Sequence, residues 1–272
     1  QDAARFKNAG PDGPVLLARS IGGITGGFFL NAREGLLTDI AVRKALMVGI
    51  DRQAVSDDIF FGIAPPATAV LTRVTPGWTD MSAALAYDPS AAESMLEEDG
   101  WHLDAATGKR SKDGQELVLD SLWPPVLPWG KPVLELLQQQ LAKIGVTLNV
   151  RQVSQAEFTS LLASNAFNLL LAYSTRPDPH ILYGELSPDS PSSLHGLEDA
   201  ELSNALDAQR AEADTDKRNA LIKTAQERII DIAAFIPIID VISLSGVAGN
   251  VEGLEFDASN NPRFYDAWFK KF

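Results

Sequence analysis

Between Glu116 and Ser174 the sequence alternates strand-like and helix-like blocks, and that order leaves few architectures open. "ELVLDSLW" alternates apolar and polar residues like a strand. "KPVLELLQQQLAKIG" has helical spacing and ends on Gly145. "VTLNVRQV" is again strand-like. "SQAEFTSLLASNA" reads as a helix, capped by Ser154 with Glu157 three residues on. "FNLLLAYS" is a continuous apolar run, the kind buried on both faces of a sheet. Strand, helix, strand, helix, strand in that order demands parallel crossovers. These are right-handed and build an open three-layer α/β sheet.

The flanks are legible in less detail. Asp39 or Thr38 is placed to cap a helix carrying Val42, Ala45 and Leu46, and Asp51 to cap the next, stopped by Gly62. The Asp51-Arg52 pair at that seam reads as a joint between helices, with Arg52 pairing locally or holding a carbonyl. "YDPSAAESMLEEDGW" is a helix with Asp88 at its cap, Pro89 in its first turn and Gly100 at its end. Turn signals at Thr107-Gly108 and Asp113-Gly114 predict a hairpin or meander. "FFLN" reads as a short buried strand, and Gly22, Gly23, Gly26 and Gly27 before it as a flexible turn between strands, since no Gly-Lys-Ser/Thr follows to make a phosphate loop. After a Pro- and Ser-rich loop from Thr175 to Gly196 come two helices, near 199–212 and 214–234. "FIPIIDVISLSG" then reads as one strand and "NVEGLEF" as another.

Composition narrows the function. With 36 acids against 23 bases the formal charge is −13, which disfavours nucleic acid and anionic lipid as partners. The absence of cysteine removes disulfides, zinc-thiolate sites and thiol nucleophiles together. No run approaches the roughly 18 apolar residues of a membrane span. The opening "QDAARFKNAGPDGP" is polar and loop-like, and reads as the middle of a longer protein. The three histidines lie in no helical metal spacing, and no nucleophile elbow, dinucleotide fingerprint or calcium loop is present. No cofactor and no metal are expected, and an enzyme is disfavoured.

In open α/β sheets ligands sit beyond the carboxyl ends of the strands. Two loops leave the parallel strands there. "SLWPPVLPWG" carries Trp123 and Trp129; "AYSTRPDPH" carries Tyr173, Ser174, Thr175, Arg176 and Asp178. Aromatic faces, a guanidinium fork, hydroxyls and a carboxylate are the groups that hold small polar molecules. Each has a plainer alternative: the tryptophans as plugs over the core, Tyr173 as core, Arg176 paired with Asp178, and Asp178 as a turn former.

The segment "FFLNAREGLLTDIAVRKALMVGIDRQAVSDDIFFGIAPPA", followed in order by "YDPSAAESMLEEDGW", "GKRSKDGQELVL", "LLQQQLAKIGVTLNV", "FNLLLAYSTRPDP", "FIPII" and "FYDAW", resembles solute-binding proteins of the peptide/nickel class (family 5) that serve ABC importers. The resemblance implies the C-terminal half of a two-lobed, extracytoplasmic (periplasmic) receptor. Such a receptor closes on a peptide-like, anionic or sugar-like solute and docks on a membrane permease, without inserting in the membrane itself. It implies that residues 39–235 form the second, α/β lobe, and that 1–38 and 236–272 are strands and hinge belonging to a missing N-terminal lobe. Those end segments are expected to pair with each other or with a neighbouring chain. Peptide-binding members place an acid in the loop after the strand matching "FNLLLAYS"; here Thr175 or Arg176 stands in that neighbourhood, and a guanidinium would repel an ammonium group. An extracytoplasmic sensor or chaperone module of the same fold is the alternative.

Overall fold

The computed structural model describes residues 15–124, 126–257 and 260–270. The chain runs through β1 (Val15–Ser20), β2 (Gly23–Leu30), α1 (Ile40–Gly49) and α2 (Arg52–Ala54), which continues as a π-helical turn over Val55–Ile59. Next come α3 (Pro89–Glu98), the short strands β3 (His102–Asp104), β4 (Lys109–Lys112) and β5 (Gln115–Glu116), and β6 (Val118–Trp123). Then follow α4 (Gly130–Lys143), β7 (Thr147–Gln152), α5 (Gln155–Ser164) and β8 (Leu169–Thr175). The chain continues with α6 (Ile181–Leu186), α7 (Ala200–Ala211), α8 (Thr215–Asp231), β9 (Phe235–Ile239) and β10 (Ile242–Val247).

The central sheet has the order β7-β6-β8-β2-β9. β6 lies parallel to both β7 and β8, with Trp123 opposite Gln152 and Leu122 opposite Leu170. This is the expected βαβαβ core. β2 runs antiparallel between β8 and β9. All eight residues of β2 are buried, so it needs a covered strand on either side. The sheet thus draws β2, and nearly all of β9, from outside the 39–235 span assigned to the second lobe. The helices flank it in two layers. Trp129, at the start of α4, stacks on Tyr173 of β8. The next residue, Ser174, donates instead to Glu185 of α6 at 3.0 Å. Successive strand side chains point to opposite faces, so α4 and α6 cover opposite sides of the sheet.

Two expectations are corrected. Gly26 and Gly27 lie inside β2 rather than in a flexible turn, at a shift in register with β9. A β-carbon on Gly27 would stand 2.2 Å from the Ile236 carbonyl oxygen, so the glycine permits a close approach of two backbones. "FIPIIDVISLSG" forms two strands in different sheets, because Asp240 breaks the run. Its N–H donates to the Pro65 carbonyl, and its carboxylate pairs with Arg73 at 2.6 Å. β10 then forms a separate antiparallel ribbon with β1, Val15 opposite Val247 and Ser20 opposite Ile242. The two end segments do therefore pair with each other.

The caps follow the sequence. Asp39, Asp51, Asp88, Ser154, Asp199 and Asp214 each accept an N–H from the helix they precede. The Glu157 side chain of the expected capping box pairs with Arg151. β3, β4 and β5 form the meander read from the two turn signals. Phe28, Leu30, Leu46, Leu119, Leu134 and Phe235 are among the fully buried side chains of one continuous core, each contributing about 1.5–3 kcal/mol of burial.

Candidate ligand-binding site

Trp123 and Thr175 end two parallel strands, so the loops after them open at the same edge of the sheet. Gly23 of β2 pairs with Thr175, and Ile239 ends β9 at that edge. There the structure assembles a row of rings. Phe60 meets Trp129 edge-on at 5.7 Å between centroids, and Trp129 stacks on Tyr173 at 6.2 Å. All three are half-buried.

Beside this row lies a cavity of about 300 Å³, lined by Ile59, Phe60, Phe61, Ile63, Trp129, Ile239, Val241 and Leu244, with Asp240 as its one charged member. Phe61 holds a left-handed backbone (φ 55) and remains 70% exposed at this apolar wall. A bulky residue in that conformation is strained. Asp240 is buried, with one oxygen on Arg73 and the other, Oδ1, unbonded. Burial pushes its carboxyl up from the usual range, and Arg73 opposes that only in part.

The residues singled out in the sequence divide among three environments. Trp123 is 5% exposed and packs under Gly130, where a β-carbon would stand 2.5 Å from its ring; it plugs the core and offers no face to a ligand. Trp129 and Tyr173 share the ring row. Thr175 and Arg176 are exposed at the strand end. Ser174, Arg176 and Asp178 turn toward α6 to α8. Asp178 accepts the His180 N–H at 2.8 Å and pairs with Arg218, not with Arg176. Burial raises its carboxyl, but Arg218 and the His180 N–H outweigh this and hold it below its ordinary value. The sequence reading missed Phe60, Phe61 and the 239–244 segment. The only signal for them was the apolar pair just before Gly62.

The segment from Arg176 to Gly196, expected as a loop, carries the short helix α6 and is anchored at its far end by His195. This side chain is buried, its Nε2 against the Leu186 carbonyl and its Nδ1 accepting the Leu197 N–H. Burial lowers its pKa, and the ring is neutral with the proton on Nε2. Among the described residues no group of three or more histidine, aspartate or glutamate side chains could hold a metal ion, and no helix is long and apolar enough to cross a membrane.

A mixed sheet with βαβαβ crossovers and a row of rings at its carboxyl edge makes an α/β lobe. The family model described as bacterial extracellular solute-binding proteins, family 5 Middle, matches residues 1–192, and the chain belongs to this family. The nickel-binding periplasmic protein of Escherichia coli is 23% identical over 215 residues, 77% of this chain and 41% of that protein. A putative ABC transporter peptide-binding protein of Brucella ovis is 29% identical over 202 residues, 70% of this chain and 36% of that protein. Among solved structures, NikA from Brucella suis in complex with Fe(III)-EDTA superposes with a TM-score of 0.85 at 24% identity, covering 98% of this chain and 54% of that one. The oligopeptide-binding protein AppA from Bacillus subtilis, in complex with a nonapeptide, gives 0.80 at 15% identity, covering 96% and 53%. At these identities the superpositions establish the fold alone. The chain spans about two-fifths of the length of the curated relatives and about half of the solved chains.

Proposed function

We propose that the chain is the ligand-binding second-lobe portion of an extracytoplasmic (periplasmic) receptor for an ABC importer. In this reading the carboxyl edge of the sheet is one wall of the solute cleft. The other wall belongs to a first lobe, and closure of the two around a solute presents it to a membrane permease. The work is differential affinity, with no bond broken. The observation that carries the reading is the row Phe60, Trp129 and Tyr173 beside the exposed strand end at Thr175. Ring faces hold the apolar body of a solute and the strand-end polar groups orient it.

What lines the edge supports a choice of solute class. The peptide and nickel names of the relatives mark the range to search. Thr175 at the strand end offers no carboxylate to a free ammonium group, which favours an anionic or polar, sugar-like solute. The test is a thermal-shift screen of the full-length protein with short peptides, acidic sugars and nickel–histidine chelates, since a ligand raises the melting midpoint by mass action. A hit should lose affinity on Trp129→Ala, by tenfold or more on the usual scale of a buried aromatic contact. Tight binding of ordinary free peptides would overturn the anionic preference. A hit unaffected by Trp129→Ala would overturn this placement of the cleft wall.

A further inference from the structure

A second constellation lies on the opposite face of β8 from the ring row, toward α6, α7 and α8. A groove of about 430 Å³ is lined by Arg176, Asp178, His180, Ile181, Arg210 and Arg218. Three guanidiniums from three separate elements converge in a chain whose net charge is −13. Two are held in place before any ligand arrives. Arg210 lies over the Tyr183 ring, 3.9 Å from its centroid, and reaches Asp207 at 3.2 Å. His180 stacks on Tyr183 at 5.5 Å, completing the support. Arg218 is fixed by Asp178 at 2.8 Å, and its Nε–H donates to the side-chain Oε1 of Gln209 at 3.3 Å. The third, Arg176, is exposed, and its guanidinium has no partner among the described residues.

We propose that this groove binds a small oxyanion carrying more than one negative charge, a polycarboxylate or a phosphate, across Arg176, Arg210 and Arg218. Two pre-oriented forks lose little freedom on binding, and planar guanidiniums match carboxylate and phosphate oxygens in pairs. Against three cations the groove lining holds one carboxylate, Asp178, engaged with Arg218, while Asp207 pairs with Arg210. Asp178 occupies the position at Arg218 that a ligand oxygen would take, so it acts as an internal competitor. Arg176 is the cation left free for the ligand. The site does not depend on the transport reading, because its residues and the ring row face opposite sides of the sheet.

The test is isothermal titration of the 272-residue chain with citrate and, separately, inorganic phosphate, at low salt and with sodium chloride as the ionic-strength control. The expected result is saturable one-to-one binding that weakens as salt rises, as exposed charge pairs do. Arg176→Gln removes an exposed, unpaired group and leaves the packing intact; it should weaken binding roughly fivefold to tenfold, and Arg210→Gln by a similar factor. Asp178→Asn keeps an oxygen for the His180 N–H but removes the competing charge, and should tighten binding several-fold. Arg151→Gln, an exposed arginine on β7 outside the groove, controls for lower overall charge and should change nothing. Citrate stronger than phosphate identifies a polycarboxylate ligand, and the reverse a phosphate. Non-saturable heats, equal affinity in Arg176→Gln, or weaker binding in Asp178→Asn would each overturn the proposal.

Discussion

The Arg52 Nε–H donates to the carbonyl oxygen of Pro237 at 2.7 Å, tying the seam between α1 and α2 to strand β9 across 185 residues of sequence. The same guanidinium reaches the Leu85 carbonyl at 2.9 Å and the Ile50 carbonyl at 3.2 Å. Burial pulls its pKa down to about 9, with neighbouring Asp51 opposing, so it stays charged at neutral pH. One cation thereby satisfies three carbonyls at a corner where helices meet sheet. The Asp51-Arg52 pair is the joint that the sequence suggested.

Arg52→Ala should therefore be among the most damaging single changes. It leaves three carbonyls in the interior without this donor and opens a cavity. The expected loss is about 3–5 kcal/mol, read as a lower urea midpoint at unchanged slope. A loss below about 1 kcal/mol would contradict this role.

Asp51 contributes differently. Its carboxylate accepts the Ala54 N–H at 3.0 Å, capping the helix, and favours the neighbouring Arg52 charge. Asp51→Ala should cost about 1 kcal/mol in chemical denaturation and leave solute affinity unchanged. A large drop in affinity at constant stability would place the seam in the binding site.

Acid should loosen the meander before the sheet. Burial raises the Asp39 carboxyl, but its setting with Asp99, Trp101, the Ala41 N–H and Lys112 outweighs this and holds it at about 2. A carboxyl with a depressed folded-state pKa contributes stability above its unfolded value, near 4, and loses it as pH falls toward the folded value. The Asp39 contribution, about 1–2 kcal/mol after allowing for solvent screening, should disappear between pH 4 and pH 2. Asp39→Asn should flatten that part of the stability profile. An unchanged profile would show that Asp39 carries none of the acid sensitivity.

His195 should produce a second slope at higher pH. Its folded pKa is lowered by burial, so the neutral ring is favoured in the fold. Stability is full above about pH 6.5, the unfolded value, and declines as pH falls below it. His195→Gln should remove the slope and loosen the segment from Arg176 to Gly196, seen as faster amide exchange there. Retention of the slope in this variant would assign it to another group.

Gly27→Ala tests the register shift in β2. A methyl group 2.2 Å from the Ile236 oxygen must push β9 away, for a cost of about 2 kcal/mol or more by thermal denaturation. A neutral outcome would mean that the two strands have room to separate.

The local code was readable because local chemistry decides it. Helix caps at Asp39, Asp51, Asp88 and Ser154, the stop at Gly62 and the turns of the meander each depend on a side chain or a glycine acting within a few residues. The order of strands and helices from Glu116 to Ser174 likewise dictated parallel crossovers, and with them which loops share an edge. Tertiary structure alone decided what no periodicity encodes. It put β2 in mid-sheet with its glycines against β9, sent Trp123 into the core and Trp129 to the rim, and gave Asp178 to Arg218 rather than Arg176. Those outcomes rest on contacts between residues far apart in sequence, where packing and charge pairing choose among partners that composition leaves equivalent.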